Sequence, residues 1–513
     1  MTDQAVDTDG SASGAPTPGG AVATADGSRF VGRHRELKEL RADIDRAGLD
    51  TLSGRKAPRA RVLLVAGRPG SGRTALAEEL ARQLADAYPD GVLRARLTDP
   101  DGAAVPTERT ARDLLDALGA PAPAGADEDD LAGSLRAALD GRRALLLLDD
   151  VTDGEGGAQV DPLLPDTPEC LVVAVSAGPL TGIPDVRPCT LGGLDTKAAL
   201  DLLARSAGSV RITVDPRSAE SLVEACGGNP AALVIAGGWL AARPKAAVAD
   251  LAKQVRDCPE EGAADSGLAR VFQHTYAALP APAARILRLL SLAPAGYVDP
   301  HTASALAGCS VSAACATLDD FVALGLLRAV ASPLPQYEVP GCLVPLLREL
   351  TGTQDRPGEV QLARARMLER TVRLLQSCRA VTEPDGSTAR KRLAGLPRAL
   401  RFPTPRAAAE WLRIRQPALL AAARLAVADG DLDVDRIRAE AEAEVERLRE
   451  IEQQRLHDQA VQAALAAMEL EQQRQGQCES GPPVPLPDQP ETQPSPDGST
   501  GSSHHLASRF RSS

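Results

Sequence analysis

The stretch "GRPGSGRT", residues 67–74, has the residue types and spacing to hold phosphate. It fits the pattern G-x-x-x-x-G-K-[ST] at every constrained position but one, where Arg73 replaces lysine. Glycines at 67, 70 and 72 let successive backbone N–H groups turn inward around an anion. A helix that starts there adds partial positive charge at its N-terminus. Ser71 and Ala75 extend the run of backbone donors on either side of Gly72 and Arg73. The Thr74 hydroxyl is the candidate ligand for Mg²⁺. Arg73 keeps the positive charge, but a planar guanidinium is bulkier than an ammonium and fans its donors differently. Diphosphate binding is expected to tolerate that change better than handling of a γ-phosphate.

A second cluster completes the pattern. "LLLLDD", residues 145–150, is four leucines followed by two acids, the arrangement of a buried strand that delivers carboxylates at its C-terminal end. Asp149 is the candidate to reach Mg²⁺ through water, and Asp150 the candidate to polarise an attacking water. A plain glycine-rich strand–helix turn would share the first pattern, and a buried strand running into an acidic loop the second. Both motifs in this order and separation point to a nucleotide site with Mg²⁺.

These residues need elements to position them. "RVLLVAG" (61–67), "GVLRARL" (91–97), "RALLLLDD" (143–150) and "CLVVAVS" (170–176) read as strands. "TALAEELARQLADAY" (74–88) carries Leu76, Leu80 and Leu84 on one helical face, and short helices are expected in 108–119 and 129–140. Strands alternating with helices predict a parallel α/β sheet covered on both faces. From about residue 195 to 325 the pattern is almost wholly helical. A hairpin candidate follows, "LLRAV" (326–330) and "QYEVP" (336–340), as in a winged-helix-like module. Residues 358–428 again read as helical. Residues 435–475 read as a long charged helix with a partial apolar stripe that weakens near Leu456, as compatible with a solvated helix as with a coiled coil.

Composition removes several classes. The net charge is −12 and aromatic residues make up 2% of the chain, so neither a generally cationic surface nor stacking platforms for single strands are present. The nine cysteines are scattered with no C-x-x-C, which fits reduced core thiols. No apolar run approaches the ~20 residues of a membrane span, and residues 1–28 lack the pattern of a signal peptide. A cytoplasmic protein is expected. A basic concentration lies at 390–415, including Arg390, Lys391, Arg398 and Arg415, and reads more simply as solvated or docked on this chain's acidic parts than as a nucleic-acid face. Residues 311–323 contain no Arg or Lys, which argues against base readout by the winged-helix-like region.

From about Phe30 to Leu350 the motifs resemble, in order, those of the NB-ARC type of signal-transducing P-loop ATPases in its actinobacterial form. "FVGR" (30–33) is similar to the segment that lies along the adenine, which implies nucleotide contacts for Val31, Gly32 and Arg33. "LGGLDTKAALDLLARSAG" (191–208) and "CGGNPAALVIAGGWLAARP" (226–244) resemble two further family segments. By that resemblance Pro230 packs on the base. The implied fold is α/β: a P-loop NTPase parallel sheet, then a helical domain, a winged-helix-like module and C-terminal helices. The expected divisions are a disordered leader (1–28), the P-loop domain (29–192), the helical domain (193–293), the winged-helix-like domain (294–352), a helical region (353–430), the charged helix (431–475) and a disordered tail (476–513).

Departures from the family pattern gather at phosphate-handling positions. Arg73 replaces lysine, Ala177 stands at the place of a nucleotide-sensing arginine, and Pro340 and Gly341 stand where a His-Asp pair is usual. Asn229 replaces a leucine. The resemblance therefore implies an ADP- or ATP-binding regulatory switch with weak or no hydrolysis, at most a slow ATPase. The alternative is a degenerate scaffold of the same fold that works by protein–protein interaction without turnover. A protein partner is expected through the C-terminal helices, and a nucleotide-dependent homo-oligomer is compatible with the resemblance. Neither DNA nor a membrane finds support in the sequence.

Overall fold

A computed structural model of the chain describes residues 30–52, 60–99, 102–120, 122, 125–152, 156–258, 266–384, 386–428 and 454. The expected leader and tail, and the 431–475 helix apart from residue 454, lie outside the described residues.

The first part alternates helix and strand. In order come α1 (His34–Leu52), β1 (Arg61–Gly67), α2 (Arg73–Gln83), β2 (Val92–Arg96), α3 (Thr107–Ala117), α4 (Glu128–Leu139), β3 (Leu145–Val151), α5 (Gly156–Val160), β4 (Leu171–Ser176) and β5 (Arg187–Leu191). The strands form one sheet of order β2-β3-β4-β1-β5 with every pair parallel. Alternation along each strand divides its side chains between two faces. Leu63, Val65, Leu147 and Val173 meet Leu37 and Leu40 of α1 and Leu76 and Leu80 of α2. Val62, Leu64, Leu148 and Val172 meet Leu114 of α3 and Leu131 and Leu135 of α4 on the other side. Burial on both faces is why the strands β1, β3 and β4 are continuous apolar runs.

One strand is invisible to that pattern. β5 is an edge strand, exposed at Arg187, Pro188 and Thr190 and buried only at Cys189 and Leu191. Its proline is compatible with an edge position, where a ladder N–H is dispensable.

The next part is helical: α6 (Thr196–Ala207), α7 (Ser209–Val214), α8 (Pro216–Ala225), α9 (Pro230–Ala242), α10 (Val248–Asp257), α11 (Ser266–Ala277) and α12 (Ala281–Leu289). Then come β6 (Tyr297–Val298), α13 (Pro300–Ala307), α14 (Val311–Ala323), β7 (Arg328–Ala329), β8 (Tyr337–Glu338) and α15 (Val344–Gln354). The expected hairpin is present as β7 and β8, and β6 adds a third antiparallel strand in the order β6-β8-β7. One apolar cluster, running from Leu194 through Trp239, Phe272 and Phe321 to Met367, joins these helices to the hairpin. Long helices α16 (Pro357–Thr382) and α18 (Pro405–Ala428), with short α17 (Thr388–Gly395) between them, close the described chain. Among the described residues, no single helix is long and apolar enough to cross a membrane.

Three arginines of the basic 390–415 stretch are put to structural use. Arg390 donates to the carbonyls of Ala380 and Val381 at the end of α16, Arg401 donates to the Leu396 carbonyl, and Arg415 is buried against Asp299.

Candidate nucleotide-binding site

The loop between β1 and α2 follows from its glycines. Gly70 and Gly72 sit at φ 77° and φ 90°, in the left-handed region that L side chains rarely adopt. A Cβ on Gly70 would also stand 2.8 Å from Asn229 Oδ1. Gly72 is the N-cap of α2 and no side chain caps that helix, so the protein's own capping leaves the first-turn N–H groups open.

Thr74 and Asp149 are brought together. Thr74 Oγ1 donates to Asp149 Oδ1 at 3.0 Å, and Oδ2 stands at 3.1 Å. Asp149 is half-buried. Burial raises its carboxyl above the ordinary carboxylate range, the adjacent Asp150 charge adds to this, and the Thr74 bond and Arg96 work against it. A hydroxyl beside a carboxylate is an all-oxygen donor set suited to a hard cation such as Mg²⁺.

Asp150, next to last in β3, has an unusual conformation, φ 52°. Its N–H donates to Asp149 Oδ1 (3.0 Å) and its carbonyl accepts from Thr98 Oγ1, so the backbone is pinned on both sides. Its carboxylate accepts from Arg96 Nε at 3.2 Å. Arg96 is the last residue of β2 and lies in register with Asp149.

The "FVGR" segment wedges between the loop and the end of β5. Arg33 is buried, and its guanidinium donates to the carbonyls of Ser71 (3.1 Å) and Gly192 (2.6 Å) and to Glu36 (2.8 Å). These donors are thereby occupied by protein acceptors. Val31 packs on the helical core, and Gly32 lies against Ala198 of α6.

The start of α9 grips the loop from the other side. Asn229 Oδ1 accepts from the N–H groups of Ala231 and Ala232, capping α9, while Nδ2 donates to the Pro69 carbonyl at 2.9 Å. The Ala231 N–H donates to the Gly70 carbonyl. Pro230 comes along with it: a Cβ on Gly72 would stand 3.8 Å from Pro230 Cγ. Asn229 therefore has a role that its departure from leucine did not reveal. Only the pairing of a cap with a loop distant in sequence exposes it.

The open side of the site is a cleft of about 410 Å³ between the sheet and the hairpin. Arg73, Arg96, Asp150, Ala177, Gly341 and Arg348 are among its walls. The Arg73 side chain makes no hydrogen bond or ion pair among the described residues and faces this space. Ala177, at the end of β4, is exposed and offers no donor. Pro340 opens a short 3₁₀ turn, and a Cβ on Gly341 would stand 3.8 Å from both Arg96 Nη2 and Asp150 Oδ2. Cys342 in the same turn has its thiol pushed up to about 11 by burial. The sequence alone did not single out Arg96 or Glu338, because neither belongs to a local motif; the available signal was a charged residue ending a strand beside the acidic one.

A family model described as an AAA domain matches residues 57–153, which span β1, the loop, α2 and β3. The chain is 31% identical over 414 residues to the regulatory protein AfsR of Streptomyces griseus, an alignment covering 78% of this chain and 40% of that protein. It is 30% identical over 381 residues to the regulatory protein AfsR of Streptomyces coelicolor, covering 73% and 35%. The chain thus spans less than half the length of these relatives. Among solved structures, a signal transduction ATPase with numerous domains from Pyrococcus horikoshii, with a tetratricopeptide repeat sensor, aligns at TM-score 0.47 and 18% identity, covering 82% of this chain and 56% of that one. The chain carries an AAA-type P-loop domain and is similar to AfsR regulatory proteins.

Proposed function

We propose that this chain is a nucleotide-binding regulatory protein of the NB-ARC type, which takes ADP or ATP with Mg²⁺ between the P-loop sheet and the helical domain and hydrolyses ATP weakly or not at all. The observation that carries this reading is the Thr74–Asp149 pair at the mouth of a glycine loop whose first helical turn has no side-chain cap. The loop and α2 supply backbone donors for phosphate. Thr74 and Asp149 would hold Mg²⁺, which would supply positive charge to offset that of the phosphates. Asp150 would be the acid that orients water. Its engagement by Arg96, together with Arg73 in place of lysine and Ala177 at the end of β4, supports slow turnover or none.

The similarity to AfsR regulatory proteins supports a regulatory role, exercised through a protein partner that engages the C-terminal helices. A scaffold reading without turnover draws on the same substitutions. It differs in predicting that nucleotide has no bearing on assembly.

Equilibrium dialysis of nucleotide-free protein with labelled ADP tests the proposal. Mg²⁺-dependent binding is expected, and Thr74→Ala should weaken it about tenfold, or ~1.4 kcal/mol. Binding that is indifferent to both Mg²⁺ and Thr74 would remove the site assignment.

A further inference from the structure

Where the start of α13 meets α16 and α18, a small cavity is lined by Asp299, Thr302, Arg370, Trp411 and Arg415 together with apolar side chains. Arg415 spends two of its nitrogens on the first two of these. Its Nε stands 3.4 Å from Asp299 Oδ2, and its Nη2 donates to Thr302 Oγ1 at 3.1 Å. Its third nitrogen, Nη1, is buried without a hydrogen-bond partner, and so is Trp411 Nε1. The Arg415 side chain is 8% exposed and Trp411 6%. Arg370, half-buried on α16, makes no hydrogen bond or ion pair among the described residues. Three donor groups thus line one cavity without an acceptor.

The charges do not balance either. Asp299 is the one carboxylate among the lining residues, against two guanidiniums. Burial opposes its charge, but Arg415 and the Thr302 N–H hold its carboxyl below the ordinary range, so it is ionised at neutral pH. The adjacent His301 adds no positive charge there. Burial, helped by Arg370 and Arg415, holds its imidazole below the ordinary value against the pull of Asp299. One positive charge is left over in a largely buried place, and a buried charge without a partner is costly.

We infer that this cavity binds a small monovalent anion of the size and charge of chloride, which accepts from Arg415 Nη1, Trp411 Nε1 and Arg370 and ties α16 and α18 to the start of α13. The space is about 10 Å³, room for about one water-sized sphere. A half-buried Arg370 can shift to admit a halide, whereas a phosphate or an organic acid is too large. A water oxygen has two lone pairs, so it would leave one of the three donors unmet and the extra charge uncompensated. A halide accepts from all three and supplies the missing negative charge. The site is lined by none of the P-loop residues and needs no nucleotide.

The test uses the full chain in sodium chloride and in sodium gluconate at equal ionic strength, so that general screening is the same in both. The natural protein should melt higher in chloride, by a margin that grows with chloride concentration, as for an ion that binds only the folded state. Hydrogen exchange at 366–374 and 411–418 should slow in chloride. Arg370→Gln should raise the chloride concentration needed for half of that slowing about tenfold. In gluconate the same variant should melt no lower than natural protein, because it removes an unpaired like charge. Trp411→Phe should also weaken the response. Arg373→Gln, which loses an exposed charge of α16 paired with Glu369 outside the cavity, should keep it. Crystals grown in bromide should show an anomalous peak between Arg370, Trp411 and Arg415. A peak with no chloride dependence of melting, or with a dependence that Arg370→Gln leaves intact, would mean an adventitious ion only and overturn the inference. Equal melting in both salts and no peak would mean that the cavity holds water, and would overturn it as well.

Discussion

Asp149 is held at a cost that its function would explain. A carboxyl whose folded value lies above its unfolded value carries more protons in the folded state, so stability falls as pH rises through the window between the two. At neutral pH the ionised group therefore works against the fold. Asp149→Asn keeps an acceptor for the Thr74 hydroxyl and removes the charge. It should raise the melting temperature of nucleotide-free protein at pH 7 by about 2–4 °C for ~1 kcal/mol, while abolishing the Mg²⁺ dependence of nucleotide binding. A variant that melts lower than natural protein in a calorimetric scan would contradict this account of the site. The loop glycines, Thr74, Asp149 and Asp150 were all legible in the sequence because each belongs to a short motif with a fixed local geometry. Arg96 and Asn229 were not legible as partners of that motif. Their roles depend on β2 lying beside β3 and on α9 meeting the loop, which no local spacing encodes.

At the scale of elements, the clamp between α9 and the phosphate loop is one of the contacts that join the helical part to the sheet. Asn229→Ala removes the α9 cap and the bond to the Pro69 carbonyl together. A lost cap costs about 1 kcal/mol, with a range of roughly 0.5–2, and the orphaned carbonyl adds to it. Urea unfolding should show the lower midpoint, and ADP affinity should fall with it; unchanged values for both would mean that the clamp is incidental. β1, β3 and β4 could be read from sequence because central parallel strands are apolar on both faces. The edge strand β5, with Arg187 and Pro188, and the two-residue β6 could not, since their pairing is imposed by neighbours and leaves little trace in hydropathy.

Across the molecule, the start of α13 and α18 are joined by a buried ion pair. Arg415 of α18 stands 3.4 Å from Asp299, and both side chains are 8% exposed. Burial alone pushes the Asp299 carboxyl upward, but the Arg415 guanidinium and the Thr302 N–H outweigh it and hold it below the ordinary range. Its contribution is thus present above the unfolded value of about 3.9 and is lost as pH falls through the lower folded value. Arg415→Met leaves a buried carboxylate unpaired and should cost ~3 kcal/mol in urea unfolding at pH 7, much of it recovered by adding Asp299→Asn. Equal stability of the single and double variants would contradict the pairing. A loop bearing Arg73 in place of lysine is expected still to hold a nucleoside diphosphate. The most direct measurement is calorimetric titration of nucleotide-free natural protein and of Arg73→Lys with Mg²⁺–ADP. The account predicts saturable one-to-one binding by the natural protein, with Arg73→Lys changing its affinity but not creating it. Binding by Arg73→Lys alone, or by neither protein, would contradict it.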